Sequence, residues 1–203
     1  MADFSAFRPY IMPEVPGCPQ VLVDDAVREA CRQFSLDTWL VTYDVPSFNT
    51  VVGTQSYTPT PPVQHEVLAV ATVVKNGSTE LDPSEESTAA RYAPRDGSPI
   101  KFWFKTAKLW FDSVPDSVEP ILVEAVIRPT QAATAVDDQY LEYRDIIAAY
   151  AKAKLMAMTG KSWYSPPDSN ANYIAYTVQV SKQKVRKNSG RSAAPLRAVA
   201  PFF

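Results

Sequence analysis

The sequence predicts an α+β protein: a three-helix bundle with a β-rich insertion between its first and second long helices, followed by an extended C-terminal arm. Apolar residues recur at helical spacing towards both ends of the 203-residue chain, whereas the middle alternates as strands do. Prolines number 18 against only six glycines, and they separate the periodic segments. We expect the following organisation: one domain over residues 1–187, with helical parts at about 1–45 and 137–187 and a β-insertion at about 50–130, then the arm at 188–203.

The first helix is predicted from four apolar positions. Val23, Val27, Cys31 and Phe34 follow one another at spacings of four, four and three residues, which places them on one helical face. Pro19 precedes them, where a proline is tolerated in the first turn of a helix. We therefore expect an amphipathic helix directly after the proline-rich segment "PEVPGCP".

The middle of the chain is predicted to form strands. Asn76-Gly77 joins two extended runs, which is the strongest short-range signal of a β-hairpin. Further on, "IKFWFK" and "ILVEAVIRPT" alternate in the same way. The polar segment between the hairpin and Ile100, residues 82–99, is expected to be a long mobile loop.

Strand alternation also sorts the aromatic residues of this insertion. Phe102, Phe104, Leu109 and Phe111 are predicted to face inward as core. Trp103 and Trp110 then fall on the opposite face, which makes them candidates for an interface between copies of the chain or with another protein.

Helical spacing returns after residue 137. An Ala-rich, Leu-rich and Met-rich segment is expected to form the second helix and to stop at Gly160. Ala171, Ile174, Val178 and Val185 predict a third helix that runs to about Lys187.

The sequence offers little for catalysis or for a cofactor. His65 is the single histidine, within an expected strand, and Cys18 and Cys31 lack the spacing of a zinc site. Adjacent carboxylates such as Asp24-Asp25 do not face each other on a helix. We expect no enzyme activity, no catalytic residue, no metal site and no cofactor. We expect no membrane partner either, because no apolar run reaches the ~18 residues of a membrane span.

Charge is distributed unevenly along the chain. Six of the 20 basic residues and none of the 22 acidic residues follow Asp168, so residues 1–168 hold 14 basic against 22 acidic side chains. The six basic residues are Lys182, Lys184, Arg186, Lys187, Arg191 and Arg197. An acidic body disfavours broad binding to the DNA backbone, and a basic end is typical of a segment that docks on a partner.

Several phrases, taken in order, resemble the head-to-tail adaptor (connector) proteins of tailed bacteriophages. These are "FSAFRPYIMPEVPGCPQVLVDDAVREACRQFSLDTWL", "PIKFWFKTAKLWFDSVPDS", and the segment from "VEAVIRPTQ" through "GKSWYSPP" to the last helix. The resemblance extends to about Lys184, and the order of the parts carries it.

The resemblance implies a virion structural protein in the neck between capsid and tail, made in the host cytoplasm. Such adaptors form a ring of neighbouring copies, commonly about twelve, beneath the portal protein. They join the portal to a tail protein (nozzle or tail tube), and genomic DNA passes through without specific binding. An acidic channel wall would let the phosphate backbone slide.

Two other functions fit parts of the sequence. Trp103 and Trp110 could stack on sugars, which would make the β-insertion a receptor- or carbohydrate-binding module of a virion spike. The second alternative is a single-stranded nucleic-acid binder that uses the basic arm, although the arm has no aromatic residue between its charges.

The arm itself is predicted to be extended and to order on a partner. Pro195 and Pro201 favour extended geometry in the residues before them, and such segments bind along a groove or sheet edge. The residues expected to contact the portal are Arg191, Leu196, Arg197, Val199, Phe202 and Phe203. A disordered solubilising tail is the alternative, which the terminal aromatic residues disfavour.

Overall fold

The computed structural model of the chain describes residues 1–84 and 95–188. Within them lie three α-helices: α1 (Gln20–Thr38), α2 (Arg144–Met156) and α3 (Pro166–Asn188). Three 3-10 segments accompany them: Phe4–Tyr10, Met12–Glu14 and Asp138–Tyr143. The strands are β1 (Ala2–Asp3), β2 (Thr42–Asn49), β3 (Ser56–Tyr57), β4 (His65–Lys75), β5 (Thr79–Glu80), β6 (Asp82–Pro83), β7 (Arg95–Asp96), β8 (Lys101–Lys105), β9 (Lys108–Phe111), β10 (Ser113–Val114), β11 (Pro120–Pro129) and β12 (Ala135–Val136).

The expectation of a three-helix bundle with a β-rich insertion is wrong. The chain is α+β, but it divides into two compact units of similar size, a β unit (residues 41–137 with Met1) and a helical unit (residues 2–40 and 138–203). The strands are grouped into four sheets among the described residues. The β region therefore has its own core and is half of the protein, not an excursion from a bundle.

Two four-stranded sheets build the β unit. One has the order β2-β11-β4-β5 and the other β3-β9-β8-β6, and β11 is antiparallel to both of its neighbours. Their inner faces form one hydrophobic core from the apolar residues Val45, Val70, Val73, Leu81, Phe102, Leu109, Phe111, Ile121, Val123 and Ala125. The predicted inward residues lie here, with Phe104 half-buried against the same core. The outer faces of the two sheets therefore lie on opposite sides of this unit.

The turns of the β unit match the sequence in one place and not in another. The Asn76-Gly77 hairpin is confirmed: β4 and β5 pair antiparallel, and both turn residues have positive φ. The long loop expected at 82–99 is wrong at both ends, since β6 pairs with β8 and β7 pairs with β10, each in parallel. These two-residue strands were hidden because their sequence is polar and their partners are distant. The middle of that segment lies outside the described residues.

The first helical part also ends earlier than expected. Residues 42–49 form β2, an edge strand, instead of continuing to residue 45 as helix. Pro46 is tolerated there because the register against β11 shifts between Ile121 and Val123, opposite the proline.

Within the helical unit, α1 occupies the span that its apolar spacing predicted, and its four predicted positions are all buried. The second helix is preceded by a 3-10 segment and ends at Met156, short of Gly160, which takes a positive φ in the following turn. The third helix begins at Pro166 and extends to Asn188. Buried polar contacts link these elements, including a 2.6 Å hydrogen bond between Ser35 Oγ and Tyr140 Oη.

Candidate functional site

The two tryptophans singled out by the sequence lie side by side on an outer face of the β unit. Trp103 of β8 is directly opposite Trp110 of β9 in the antiparallel register. Their ring centroids are 6.2 Å apart and the rings are nearly parallel, at 9°. Both side chains are half-buried. Strand alternation placed them correctly on the face opposite the phenylalanines.

Lysines surround this tryptophan pair. Lys101 and Lys105 of β8 share the outward parity of Trp103, and Lys108 of β9 shares that of Trp110; all three are exposed. Lys105 and Lys108 are directly opposite each other across the hairpin turn. We call this set the basic face: Lys101, Trp103, Lys105, Lys108 and Trp110.

The outer face of the other sheet has the opposite charge. Asp44 of β2 is directly opposite Glu124 of β11, and Glu124 is directly opposite Thr72 of β4, whose hydroxyl lies 3.5 Å from Glu124 Oε2. In the adjacent row, Leu122 pairs with Val74, and Val74 pairs with Glu80 of β5. We call this set the acidic face: Asp44, Thr72, Val74, Glu80, Leu122 and Glu124.

A cavity of about 410 Å³ opens on the acidic face. It is lined by Asp44, Val45, Thr72, Val74, Leu122, Val123 and Glu124. Leu122 is 46% exposed although it lies in the middle of a strand. The alternation of "ILVEAVIRPT" predicted this strand, but the sequence analysis gave its outward residues no role. The outward parity of Leu122 and Glu124 was the available signal.

In the helical unit, α3 presents an apolar stripe to solvent. Ile174, Val178 and Val185 recur at spacings of four and seven residues and are 47–53% exposed, and Tyr173 beside them is equally exposed. The spacing was correctly assigned to a helix, but these residues are not the core-facing side of it. Tyr176 and Val180 take that role.

A tyrosine cluster connects the three helices of this unit. The rings of Tyr150, Tyr173 and Tyr176 lie within 6.5 Å of one another. Tyr176 donates a 2.6 Å hydrogen bond to Asp37 Oδ2. Burial, followed by the hydrogen bond to the Asp37 carboxylate, raises the pKa of Tyr176 well above its ordinary value of 10.0. The hydroxyl therefore stays protonated and serves as a fixed donor.

The six arm residues predicted to dock on the portal all lie outside the described residues: Arg191, Leu196, Arg197, Val199, Phe202 and Phe203. The structure does reach the preceding residues. Lys187, near the end of α3, donates a 2.8 Å hydrogen bond from Nζ to the carbonyl of Trp39.

His65 has a structural role in the β unit. It is buried, its Nδ1 lies 2.9 Å from the Val63 carbonyl, and its Nε2 lies 3.2 Å from the backbone nitrogen of Asp137. Since the Asp137 amide must donate, Nε2 is the acceptor and Nδ1 carries the proton to the carbonyl.

The cysteines and acidic residues form no metal-binding arrangement in the part of the chain that the structure describes. Cys18 and Cys31 are both buried free thiols, and complete burial raises the pKa of Cys31 far above that of an exposed thiol. Both thiols are therefore packing groups. None of the helices within residues 1–84 and 95–188 is long and apolar enough to cross a membrane.

Comparison with known proteins gives no further assignment: no protein-family model matches the chain, and no curated protein matches it. The surfaces described above are therefore the basis for inferring function.

Proposed function

We propose that the chain is a head-to-tail adaptor of a tailed bacteriophage. In this role it is a virion structural protein of the neck, it forms a ring beneath the portal protein and it joins the portal to a tail protein. Genomic DNA passes through the ring without specific binding, and the protein performs no catalysis.

The observation that carries this proposal is the apolar stripe on α3. Three aliphatic side chains on one helical face, each about half exposed, offer apolar surface that gains free energy when another protein covers it. Because each side chain is already about half covered, burying the exposed half stabilises a complex by about 0.8–1.5 kcal/mol, half the value for a fully exposed side chain. Exposed apolar residues on one face of a helix, directly before the basic arm, favour an assembly protein over a solitary enzyme.

Charge gives the second line of support. Residues 1–168 carry an excess of acidic side chains, which disfavours adhesion of the DNA backbone to a channel wall. The basic residues after Asp168 begin within α3, at Lys182, so they extend from an ordered helix. The arm then supplies residues for the portal: two arginines for acidic partners, and aliphatic and aromatic side chains for apolar pockets.

The test is attachment to portal-bearing capsids. Purified full-length chain should co-sediment with capsids that contain the portal, and not with capsids assembled without it. Deleting residues 188–203 should abolish or severely weaken this attachment while leaving circular dichroism and the melting temperature of the body unchanged.

Two matched variants separate charge from apolar docking within the arm. Phe202→Ala with Phe203→Ala should weaken attachment at all salt concentrations, whereas Arg191→Ala with Arg197→Ala should weaken it most at low salt, where charges are least screened. A full-length chain that does not bind portal-bearing capsids would overturn the proposed function.

A further inference from the structure

The two outer faces of the β unit match each other in charge. The basic face carries three exposed lysines, of which Lys101 has Asp82 as its neighbour on β6. The acidic face carries three carboxylates, Asp44, Glu80 and Glu124. Because one core lies between the two sheets, these faces point away from each other. They cannot pair within one copy.

Each face also places like charges directly opposite each other. Lys105 is paired with Lys108 on the basic face, and Asp44 is paired with Glu124 on the acidic face. Like charges at directly opposed positions of an antiparallel pair repel and destabilise the sheet. A side chain of opposite charge brought against either pair is attracted by both of its members, so each pair is suited to the other.

The faces match in their apolar parts as well. Trp103 and Trp110 form the apolar centre of the basic face. Leu122 and Val74 form that of the acidic face, next to the cavity of about 410 Å³. The half-exposed tryptophans of the basic face can therefore cover the exposed leucine of the acidic face while the lysines meet the carboxylates. The apolar contact excludes water, which strengthens the charge pairs around it.

We propose that the basic face of one copy docks on the acidic face of a second copy. Lys105 and Lys108 then lie against Asp44 and Glu124 of the neighbour, and the tryptophan pair covers Leu122. The contact is heterologous, so a bound pair still has one free acidic face and one free basic face, and further copies add until the assembly closes as a ring when the rotation per copy permits. This inference rests on the proposed function for its closed ring, which the adaptor role requires.

A second copy explains more than other occupants of these faces. A self-complementary dimer through the basic face alone would bring lysines against lysines. A free polyanion, such as an acidic polysaccharide, would account for the lysines and the tryptophans but not for the acidic face. The second copy accounts for both faces at once.

Charge reversal provides the test, using the full-length chain. One variant combines Lys105→Glu with Lys108→Glu, and the other combines Asp44→Lys with Glu124→Lys. By sedimentation velocity, the native chain should self-associate as concentration rises, more weakly in high salt. The association constant of each variant alone should be at least about tenfold lower than that of the native chain, because both faces of the variant then carry the same sign of charge.

An equimolar mixture of the two variants should regain association. The native acidic face of the first variant meets the native basic face of the second, and the two reversed faces meet each other. The matched control combines Arg95→Glu with Lys161→Glu, which changes net charge equally but touches neither face, and it should associate as the native chain does.

Cross-linking identifies the contact directly, both in solution and on portal-bearing capsids. With mixed light and heavy isotope-labelled protein, carbodiimide should join Lys105 or Lys108 of one copy to Asp44 or Glu124 of another. The inference is overturned if these links are missing in both states, or if each variant associates as well as the native chain. Binding of heparin to the basic face without copy-to-copy association would likewise overturn it in favour of a polyanion.

The two proposals fail separately. Capsid attachment without these cross-links would leave the adaptor function standing and remove this contact. Association that responds to charge reversal, without capsid attachment, would leave this contact standing and remove the adaptor function.

Discussion

The β unit and the helical unit distribute their exposed apolar residues differently. Among the described residues of the β unit, Leu122 is the one exposed large apolar residue that lies in a strand; the others lie outside the strands. In the helical unit, by contrast, exposed apolar residues lie within helices: Val21, Leu36, Tyr173, Ile174, Val178 and Val185. The β unit encloses its core between two sheets, whereas the helical unit keeps an apolar stripe that it does not cover.

This difference indicates two kinds of contact. Faces of a closed sandwich can interact by charge and register, which sets orientation but contributes modest affinity. An apolar helical stripe contributes affinity with little directional preference. The proposed adaptor ring needs both kinds of contact, since each copy has to find its neighbours in one orientation and then hold the portal.

The largest expected effect tests whether the β unit depends on its enclosed core. Phe111 is fully buried there, with its ring 5.5 Å from that of Tyr57. Phe111→Ala should lower the free energy of unfolding by about 3–5 kcal/mol, measured by denaturant titration, and should speed amide exchange in β8, β9 and β11. Lys108→Ala in the same strand should change it by about 0.5 kcal/mol or less. Equal losses from the two substitutions would contradict an enclosed core.

The next effect tests the buried polar contact of the helical unit. Tyr176→Phe removes the donor to Asp37 and should lower the unfolding free energy by about 1.5–3 kcal/mol, as for a hydrogen bond to a charged group. Ser181→Ala, on the exposed side of the same helix, is the control.

The same variant gives a pH signature. In the unfolded chain a tyrosine loses its proton near its ordinary value of 10.0, whereas the pKa of folded Tyr176 is raised. The stabilisation is therefore complete below pH 10 and is lost as pH rises above it. The melting temperature of Tyr176→Phe should fall less steeply above pH 10 than that of the native chain. Coincident declines would mean that Tyr176 is not the group responsible.

A smaller effect, of opposite sign, concerns the turn of the basic face. Thr106 and Ala107 both have positive φ, 51° and 58°, between directly opposed lysines. Left-handed backbone costs about 1–2 kcal/mol per ordinary residue, and Asn-Gly is the preferred pair for such a turn. Thr106→Asn with Ala107→Gly should raise the unfolding free energy by about 1–2 kcal/mol, whereas Asn76→Thr with Gly77→Ala in the β4–β5 hairpin should lower it. A destabilised Thr106→Asn, Ala107→Gly protein would refute the turn assignment.

The smallest effect on stability is expected at the α3 stripe. Ile174→Ser and Val178→Ser should each change the unfolding free energy by about 0.5 kcal/mol or less, because both residues already contact water. Val180→Ser, on the buried side, should cost more. If the exposed pair proved as costly as Val180, the stripe would be core, and its proposed role in assembly would lose its support.

Sequence reasoning worked where the signal was local. The spacing of Val23, Val27, Cys31 and Phe34 located α1, and Asn76-Gly77 located a hairpin, because helices and tight turns are set by residues a few positions apart. The outward placement of Trp103 followed from strand alternation alone.

It failed where the structure depends on distant partners. The first helical part was expected to reach about residue 45, and Thr42–Asn49 contains a proline. The segment is nevertheless a strand, because β11 supplies its hydrogen bonds from 70 or more residues away. The acidic face was missed for the same reason, since Asp44 and Glu124 become neighbours only through that pairing. The size of the β unit, and with it the fold class, depended on these pairings.

The hydrogen bond from Lys187 to the Trp39 carbonyl sets a limit on where the arm can act. It ties the end of α3 to the residue that closes α1, where Trp39 itself takes a left-handed conformation. The 15 residues from 189 to 203 follow this anchor, and at about 3.6 Å each when fully extended they can reach at most roughly 54 Å from it. In the proposed adaptor, the portal surface that receives Phe202 and Phe203 has to lie within that radius. Within that radius the segment is attached to the protein, so its effective concentration at a target is higher than that of the same peptide free in solution.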